Sequence, residues 1–394
     1  MTLTRRGFLG AALATAMPAQ AKLKIVAVKA YPVALSSRLV HRAPNFSSDY
    51  DPARWRWLGR LSNLPGEIVV EIKTDQGLVG YGLGGGGAAG AAVIEHHLSE
   101  LLIGANPLNV EMLWDQMYAS MAFYGRRGLG VMALSGVDLA LWDIAGKQAG
   151  APVHKLLGGP VKDRMRAYYT GTNIEAAARM GFQGFKLPIR YGPRDGRDGM
   201  KKTIDELKKI RSIIGPDAEL MIDVSCQWNV PYTLEMAERM ADLRLYWIEE
   251  PLTPDELEGY AQLCREVRGP LIASGEHEYT RFGFQELIGH GAVKLLQPDT
   301  TWSGGLTEVR RIAAMASARG LPMAPHRGSS PYGLAVIMST PNCVFAENLG
   351  VLEEGNELMQ AITSRFEKGY YYPNEKPGFG VEFKPEWFRK YAKT

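Results

Sequence analysis

The feature that most constrains the fold is a repeat of short apolar runs in the second part of the chain, most of them followed by a helical pattern. The eight runs are Met165–Thr170, Gly184–Ile189, Leu220–Val224, Leu245–Glu250, Leu271–Ser274, Val293–Leu296, Leu321–Ala324 and Val344–Ala346. Buried parallel strands have this character, and eight of them with intervening helices close a (β/α)8 barrel. A doubly wound open sheet is the alternative, but no glycine-rich phosphate-binding turn opens the first unit.

The chain before this repeat has a different pattern. Strand-like runs at 24–33, 67–74 and 78–83 are followed by helical periodicity over 88–103, 110–121 and 130–147. Strands first and helices afterwards predict an α+β domain. We therefore predict an α+β capping domain over residues 22–160, a modified TIM barrel, (β/α)7β, over 161–351, and a C-terminal segment, 352–394, that returns to the capping domain.

The first 21 residues have the pattern of a cleavable export signal. Arg5 and Arg6 precede a short apolar, alanine-rich run that ends in Ala19-Gln20-Ala21. Paired arginines point to twin-arginine export, so we predict a periplasmic or exported protein, or a cytoplasmic one if the signal is not used. An uncleaved anchor or a fraying amphipathic helix is the alternative. No other segment approaches the roughly 18 apolar residues that span a bilayer, so we expect no stable membrane insertion after cleavage.

Composition argues against several classes of partner. The 45 lysines and arginines nearly balance the 42 aspartates and glutamates, and no basic stripe with interleaved aromatics occurs, so we expect no nucleic acid partner. The three cysteines, Cys226, Cys264 and Cys343, form no pair with metal-ligand spacing and no disulfide framework, and we predict three buried thiols. A glycine-bounded polar cluster at 124–127 is a candidate contact in a homo-oligomer.

Ionisable residues stand at the ends of five consecutive predicted strands. The third strand ends in Asp223, the fourth in Glu249-Glu250, the fifth in Glu276-His277, the sixth in Asp299 and the seventh in His326. In a barrel these ends converge on one mouth, where catalytic groups lie. A single acid after a strand is more often a helix cap, but five in succession would repel one another unless a cation lay among them. Carboxylates without a cysteine partner favour a hard ion, and Mg²⁺ fits best.

Three of these segments resemble the metal-binding strands of the enolase superfamily, in its mandelate racemase-like branch. They are LMIDVSCQ at 220–227, YWIEEP at 246–251 and SGEHEYTRFGF at 274–284. The resemblance implies Mg²⁺ ligands at Asp223, Glu249 and Glu276, with Glu250 behind them. It also implies a dyad in which His326 is the catalytic base and Asp299 fixes its tautomer.

Longer segments resemble the acid-sugar dehydratases of this branch, and in particular the L-rhamnonate dehydratase family. They include WDQMYASMAFYGRRG at 114–128, QPDTTWSGGLTEV at 297–309 and PGFGVEF at 377–383. The resemblance implies a Mg²⁺-dependent hydro-lyase that removes the proton next to the carboxylate of an aldonate and expels the 3-hydroxyl, which gives a 2-keto-3-deoxy acid. Arg327 departs from the family pattern directly after His326, where it would border the substrate.

We predict substrate contacts at four further residues. Lys186 lies on the second strand, His277 directly follows a predicted ligand, His41 lies in the polar loop 36–64, and Glu347 lies on the eighth strand. Two of them have a structural alternative: Lys186 could pair with an acid, and His277 could hold a neighbouring carboxylate.

Two other functions stay open. A racemase, epimerase or cycloisomerase of the same superfamily commonly uses a second lysine at the end of the second strand, where this sequence has Pro188. Proline can neither accept nor give a proton, which argues against that route. The other function is that of a catalytically inactive, exported sugar-acid-binding protein. The presence of all three predicted ligands together with the dyad argues against it.

Overall fold

The structure, a computed structural model, describes residues 23–33, 66–349, 358, 362 and 364–392. The predicted export signal and the predicted substrate contact His41 lie outside the described residues, as do Arg54, Arg56 and Arg60, three of the arginines in the same loop.

The first part of the chain forms a three-stranded antiparallel sheet with helices packed against it. β1 (Ile25–Pro32), β2 (Ile68–Thr74) and β3 (Val79–Gly84) lie in the order β1-β2-β3. The helices are α1 (Gly87–Val93), α2 (Ser99–Leu102), α3 (Val110–Ser120), α4 (Leu129–Ala149) and α5 (Val153–Leu156), with a π-helical turn, Ile94–Leu98, between α1 and α2. The apolar faces of β1, β2 and α1 to α4 share one core.

The second part is a closed barrel of parallel strands. β4 (Met165–Thr170), β5 (Gly184–Pro188), β6 (Glu219–Asp223), β7 (Leu245–Glu249), β8 (Leu271–Ser274) and β9 (Leu295–Leu296) pair in chain order. Met323 bridges Leu296 and Cys343, and β10 (Ala346–Leu349) pairs with β4, which closes the ring. The connecting helices are α6 (Ile174–Arg179), α7 (Gly196–Ile214), α8 (Val230–Arg239), α9 (Leu257–Glu266), α10 (Thr280–Gly289), α11 (Gly305–Ala318) and α12 (Pro331–Ser339). The predicted (β/α)7β fold is confirmed.

The last three predicted barrel strands differ most in extent from the prediction, and the sixth is Leu295–Leu296 rather than 293–296. The run 321–324 contributes a single parallel bridge at Met323, and the eighth strand is Ala346–Leu349 rather than 344–346. The difference at the eighth strand has a physical reason, since Glu347 and Asn348 are buried although both are polar. An apolar run therefore could not mark the end of this strand.

The C-terminal part returns to the first domain. A hairpin of β11 (Phe366–Glu367) and β12 (Tyr370–Tyr371) adds an antiparallel strand beside β4. The chain then passes α5, where Gly378 bridges Pro152, and ends in α13 (Pro385–Tyr391). The ring of Phe388 lies 4.4 Å from that of Tyr31 in β1.

The long helix α4 is apolar enough, by length and composition, to cross a membrane, which contradicts our expectation that no segment after the signal would be. In the structure, however, 78% of its most apolar window is buried. Its contact with β3 explains this composition, because a Cβ atom added at Gly82 would lie 1.9 Å from the carbonyl oxygen of Gly136. Only glycine lets the helix backbone lie so close to the strand. α4 is therefore the central helix of a packed core.

Polar side chains of α4 join the capping domain to the barrel. The Asp138 carboxylate accepts hydrogen bonds from Thr307 N at 3.0 Å and Thr307 Oγ1 at 2.5 Å. Thr307 lies in the first turn of α11, so Asp138 satisfies unpaired amide and hydroxyl groups at the start of a helix in the other domain. Burial raises the pKa of Asp138 from its ordinary 3.8 to about 7, although the bonds from Thr307 act in the opposite direction.

We predict that Asp138→Asn changes the pH dependence of thermal stability. The folded protein holds the Asp138 proton up to about pH 7, whereas the unfolded chain releases it near its ordinary pKa of 3.8. Between those values the folded state binds more protons, so the unfolding free energy falls as pH rises. The asparagine variant lacks this titration. The Tm of the wild type minus that of the variant, measured by calorimetry, should decrease from about pH 5 to about pH 7. A difference that is constant or grows with pH would contradict the raised pKa.

Candidate active site

The site is built on an apolar floor inside the barrel. The floor side chains are Tyr168, Met221, Trp247, Ala273, Leu295, Ala324 and Phe345. Because side chains alternate between the two faces of a strand, the residue two positions further on faces the same interior. Those residues are Thr170, Asp223, Glu249, Gly275, Gln297, His326 and Glu347. Lys186 takes the same place on β5, two residues beyond Gly184, where a Cβ atom would lie 2.8 Å from Tyr168 Cβ.

The three predicted metal ligands lie at the same end of the barrel. Asp223 and Glu249 are partners in the β6–β7 register, and Glu276 follows β8 by two residues. The side chain of Glu249 is 1% exposed, whereas those of Asp223 and Glu276 keep 19% and 14% exposure. Burial raises the pKa of Asp223 to about 6, and the charge of Glu276 adds to the increase. Burial and the charges of Asp223 and Glu276 also raise the pKa of Glu249, so the three carboxylates interact electrostatically.

Lys186 lies among these carboxylates. Its Nζ donates to Glu249 Oε1, and it lies 2.9 Å from Glu347 Oε1 and 3.9 Å from Asp223 Oδ2. Burial lowers the pKa of Lys186, but the charges of Glu249 and Glu347 outweigh burial and hold it well above its usual value. Pairing with acids, one of the two alternatives for Lys186, is therefore observed. Its contact with a substrate stays a prediction.

The donor set fits a hard divalent ion, with one qualification of geometry. Lys186 provides one positive charge beside Asp223 and Glu249, Glu276 adds a third carboxylate, and all three offer oxygen, the ligand atom that Mg²⁺ prefers. Among the described residues, however, Cys226, Glu250 and His277 form the group of three ligand side chains whose donor atoms all lie within 4.8 Å of one another. The three predicted Mg²⁺ ligands do not form such a group. A single ion shared by Asp223, Glu249 and Glu276 therefore requires these side chains to draw together.

The predicted dyad is present as a buried hydrogen-bonded pair. His326 Nδ1 lies 2.6 Å from Asp299 Oδ2, and Asp299 Oδ1 accepts from both the backbone N and Oγ1 of Thr301 at 2.6 Å. His326 Nε2 points the other way, 3.7 Å from Glu276 Oε2. Burial lowers the pKa of His326, but the Glu276 charge and the bond to Asp299 raise it to about 9. A divalent cation among the carboxylates would offset the charge that raises this pKa.

Glu347 lies between Lys186 and the dyad. Its carboxylate accepts hydrogen bonds from Thr170 Oγ1 at 2.6 Å and from the backbone N of Arg327 at 2.8 Å. Burial raises its pKa, but Lys186 and His326 outweigh burial and lower it to about 2. The contacts of Glu347 in the structure are thus with protein groups, and its predicted contact with a substrate stays a prediction.

Arg327 connects the dyad to the capping domain, which the sequence did not indicate. Its Nη1 donates to Glu67 Oε1 at 2.5 Å, its Nε lies 3.8 Å from Asp299 Oδ2, and its guanidinium stacks 4.7 Å above the Trp302 ring. Glu67 directly precedes β2 and had no signal in the sequence, because its partner is 260 residues away. The backbone of Arg327 is left-handed, with φ 54°, which is costly for a side chain other than glycine.

His277 is held at the rim of the site. Its Nδ1 lies 2.7 Å from Glu250 Oε2, and its side chain is 43% exposed. Burial lowers the pKa of His277, but the charges of Glu250 and Glu276 raise it to about 10. The structural alternative, a histidine that contacts a neighbouring carboxylate, is observed, and the exposed face leaves room for the predicted substrate contact.

Two family models match the chain. Residues 66–158 match the mandelate racemase / muconate lactonizing enzyme N-terminal domain, and residues 171–387 match the enolase C-terminal domain-like family. The second match alone covers more than half of the chain. The family resemblance inferred from the strand ends is confirmed.

Individual relatives agree with these models. A protein of Caldivirga maquilingensis named "Putative L-rhamnonate dehydratase" is 40% identical over 326 residues, which is 81% of this chain and 82% of the relative. The crystal structure of L-rhamnonate dehydratase from Gibberella zeae is 34% identical, with a TM-score of 0.83, and the match covers 94% of this chain and 96% of that one. The structure of rhamnonate dehydratase from the same organism complexed with Mg has a TM-score of 0.81 at the same identity and coverage.

We predict that Lys186→Met strongly destabilises the protein when no divalent ion is added. The change leaves Glu249 and Glu347 buried without their shared cation, and removal of one partner from a buried ion pair costs about 3–5 kcal/mol. Lys202→Met is the matched control, because Lys202 pairs with Asp198 on an exposed helix face, where solvent screens the pair. Thermal denaturation should show a large decrease in Tm for the first variant only. Equal Tm values would refute the central role of Lys186.

Proposed function

Because this chain belongs to the mandelate racemase / muconate lactonizing enzyme family of the enolase superfamily, we propose that it is a Mg²⁺-dependent acid-sugar dehydratase that acts on L-rhamnonate or an aldonate of similar shape. The observation that carries the proposal is the His326–Asp299 pair, whose free ring nitrogen faces a carboxylate of the predicted metal site. The names of the relatives support the reaction class, and the Gibberella zeae structure complexed with Mg supports the metal.

Asp223, Glu249 and Glu276 are the residues that would hold the ion. Lys186 offsets only part of the electrostatic repulsion among these carboxylates. The site therefore keeps an excess of negative charge that a divalent cation would neutralise. Mg²⁺ supplies a positive charge that stabilises the negative charge built on the substrate carboxylate when the neighbouring proton leaves.

His326 is the base in this proposal. Nδ1 donates to Asp299, and a cation held by the carboxylates would offset the charge that raises the pKa of the ring, so that Nε2 would carry a lone pair able to accept the proton on the carbon next to the carboxylate. The C–H electron pair then forms a double bond to the next carbon as its C–O bond breaks. The departing hydroxyl takes the proton from His326 Nε2 and leaves as water, and the enol product tautomerises to a 2-keto-3-deoxy acid. His326 is thus returned to its starting form.

The surrounding side chains would position the substrate. Lys186 and His277 offer N–H donors on two sides of the carboxylate cluster, and Arg327 brings a guanidinium beside the dyad. Pro188 is the last residue of β5, so this strand has no second proton carrier where a racemase would need one. His41 stays a predicted contact from the capping loop, and export through the twin-arginine signal is part of the proposal. We also propose a homo-oligomer that binds neither nucleic acid nor membrane.

We predict that the protein with Mg²⁺ converts at least one member of an aldonate library that includes L-rhamnonate, detected as 2-keto-3-deoxy acid with semicarbazide. His326→Asn should abolish turnover while Mg²⁺ binding remains, because general base catalysis typically contributes about 10²–10⁴-fold and the variant has no substitute base. His290→Asn is the control, since that histidine is exposed and its ring pairs with Glu258 of α9. Failure to convert any aldonate would favour a binding protein, and activity of His326→Asn would refute the assigned base.

We also predict that removal of divalent ions with EDTA abolishes turnover and that added Mg²⁺ restores it. Asp223→Asn should raise the Mg²⁺ concentration needed for half-maximal rate by more than about tenfold, because the variant loses one charged ligand. Asp217→Asn, an exposed residue just before β6, should leave that concentration unchanged. Turnover that persists in EDTA would exclude the metal from the reaction.

A further inference from the structure

Cys226, Glu250 and His277 form a second cluster beside the proposed Mg²⁺ site. Within residues 23–33, 66–349 and 364–392, their ligand atoms all lie within 4.8 Å of one another. Cys226 Sγ lies 3.5 Å from Glu250 Oε2, and His277 Nδ1 lies 2.7 Å from the same oxygen. The three residues follow three consecutive strands, β6, β7 and β8, so the fold rather than any sequence spacing brings them together.

The Glu250 carboxylate has an oxygen that the protein leaves without a partner. The side chain is 2% exposed, and Oε1 has no hydrogen bond from the described residues. A buried carboxylate oxygen without a partner is costly, because the water that would solvate it is excluded. A cation at this carboxylate would satisfy it. The proposed dehydration gives Glu250 and Cys226 no part in the reaction.

The backbone is strained at two of the three residues. Cys226 and Glu250 are left-handed, with φ 61° and 40°, although neither is glycine. Each such residue costs on the order of 1–3 kcal/mol, and strain of this kind persists where the surrounding structure imposes it. Here Cys226 N donates a hydrogen bond to Glu250 O at 2.7 Å, so the two turns that carry the strain hold the thiol next to the carboxylate.

The donor chemistry differs from that of the neighbouring carboxylates. Sulfur, imidazole nitrogen and carboxylate oxygen together are a ligand set that Zn²⁺ prefers and Mg²⁺ does not. A tetrahedral ion with Zn–S of about 2.3 Å and Zn–O of about 2.0–2.2 Å places its sulfur and oxygen ligands roughly 3.5 Å apart. The 3.5 Å between Cys226 Sγ and Glu250 Oε2 agrees with that separation, whereas the 2.7 Å between His277 Nδ1 and the same oxygen is a hydrogen-bond distance that must lengthen to roughly 3.4 Å when both atoms bind one ion. The exposed side of His277 gives solvent a fourth position and the ion a path of entry.

We propose that Cys226, Glu250 and His277 form a thiolate-containing site for Zn²⁺ or a similar thiophilic divalent ion, distinct from the Mg²⁺ site beside it. Burial and the charge of Glu250 hold the pKa of the Cys226 thiol well above its usual value. Binding therefore releases the thiol proton, and the positive ion reverses the electrostatic penalty on the thiolate. The site does not depend on which reaction the protein catalyses.

The test uses Co²⁺, which accepts the ligands of Zn²⁺ and shows a near-ultraviolet charge-transfer band only when it binds a thiolate. The full protein is titrated with Co²⁺ in excess Mg²⁺, so that the oxygen-only site is filled. We expect a thiolate band that saturates at one Co²⁺ per chain and disappears when Zn²⁺ is added. Cys226→Ser should lose the band, and Cys264→Ser, a control on a partly buried thiol of α9, should keep it.

His277→Ala provides a second variant should Cys226→Ser not fold. Loss of one ligand should weaken Co²⁺ binding by at least the roughly 10–100-fold typical of lost outer-shell partners. No thiolate band in the wild type, a full band in Cys226→Ser, or unchanged affinity in His277→Ala would each overturn the proposal. Dehydration is assayed separately with Mg²⁺ alone, so failure of the proposed function and failure of this site give different results.

Discussion

Crowding of negative charge at the barrel mouth is the constraint on which the rest of the site depends. Lys186, almost fully buried, contacts Glu249 and Glu347 and lies close to Asp223. One ammonium group cannot neutralise three carboxylates in a region where burial raises the cost of each charge. The remaining excess makes a divalent cation the natural complement of this fold. It also sets the basicity of His326, since the charge of Glu276 raises the pKa of that ring.

The capping domain contributes to the site through two separate connections. α4 fixes the position of the barrel relative to the capping sheet, because Asp138 accepts two hydrogen bonds at the start of α11. Arg327 donates a hydrogen bond to Glu67 of the capping domain and also lies close to Asp299. Charged groups of both domains therefore lie near the residue that orients His326. A contact with the capping domain therefore reaches the surroundings of the predicted base.

Hard and soft metal donors lie side by side at the same mouth. Glu249 and Glu250 are adjacent in the chain, yet the first ends β7 and faces the barrel interior, and the second adopts a left-handed conformation toward Cys226. Likewise, Glu276 lies near His326, whereas the next residue, His277, contacts Glu250. At the ends of β7 and β8, one residue thus belongs to the cluster of oxygen donors, and the next residue belongs to the cluster that also contains sulfur and nitrogen.

The sequence by itself determined the barrel, the capping domain and the polar residues at the strand ends, because strand periodicity and chain order are local properties. It predicted Asp223 and His326 at one mouth because parallel strands end together. It could not find Glu67 or the surroundings of Cys226, whose partners come from distant segments with no fixed spacing. Nor could it show that α4 is a core helix rather than a membrane span, since apolar composition serves both. Those outcomes were decided by tertiary packing, which alone brings side chains from separate strands and domains within bonding distance.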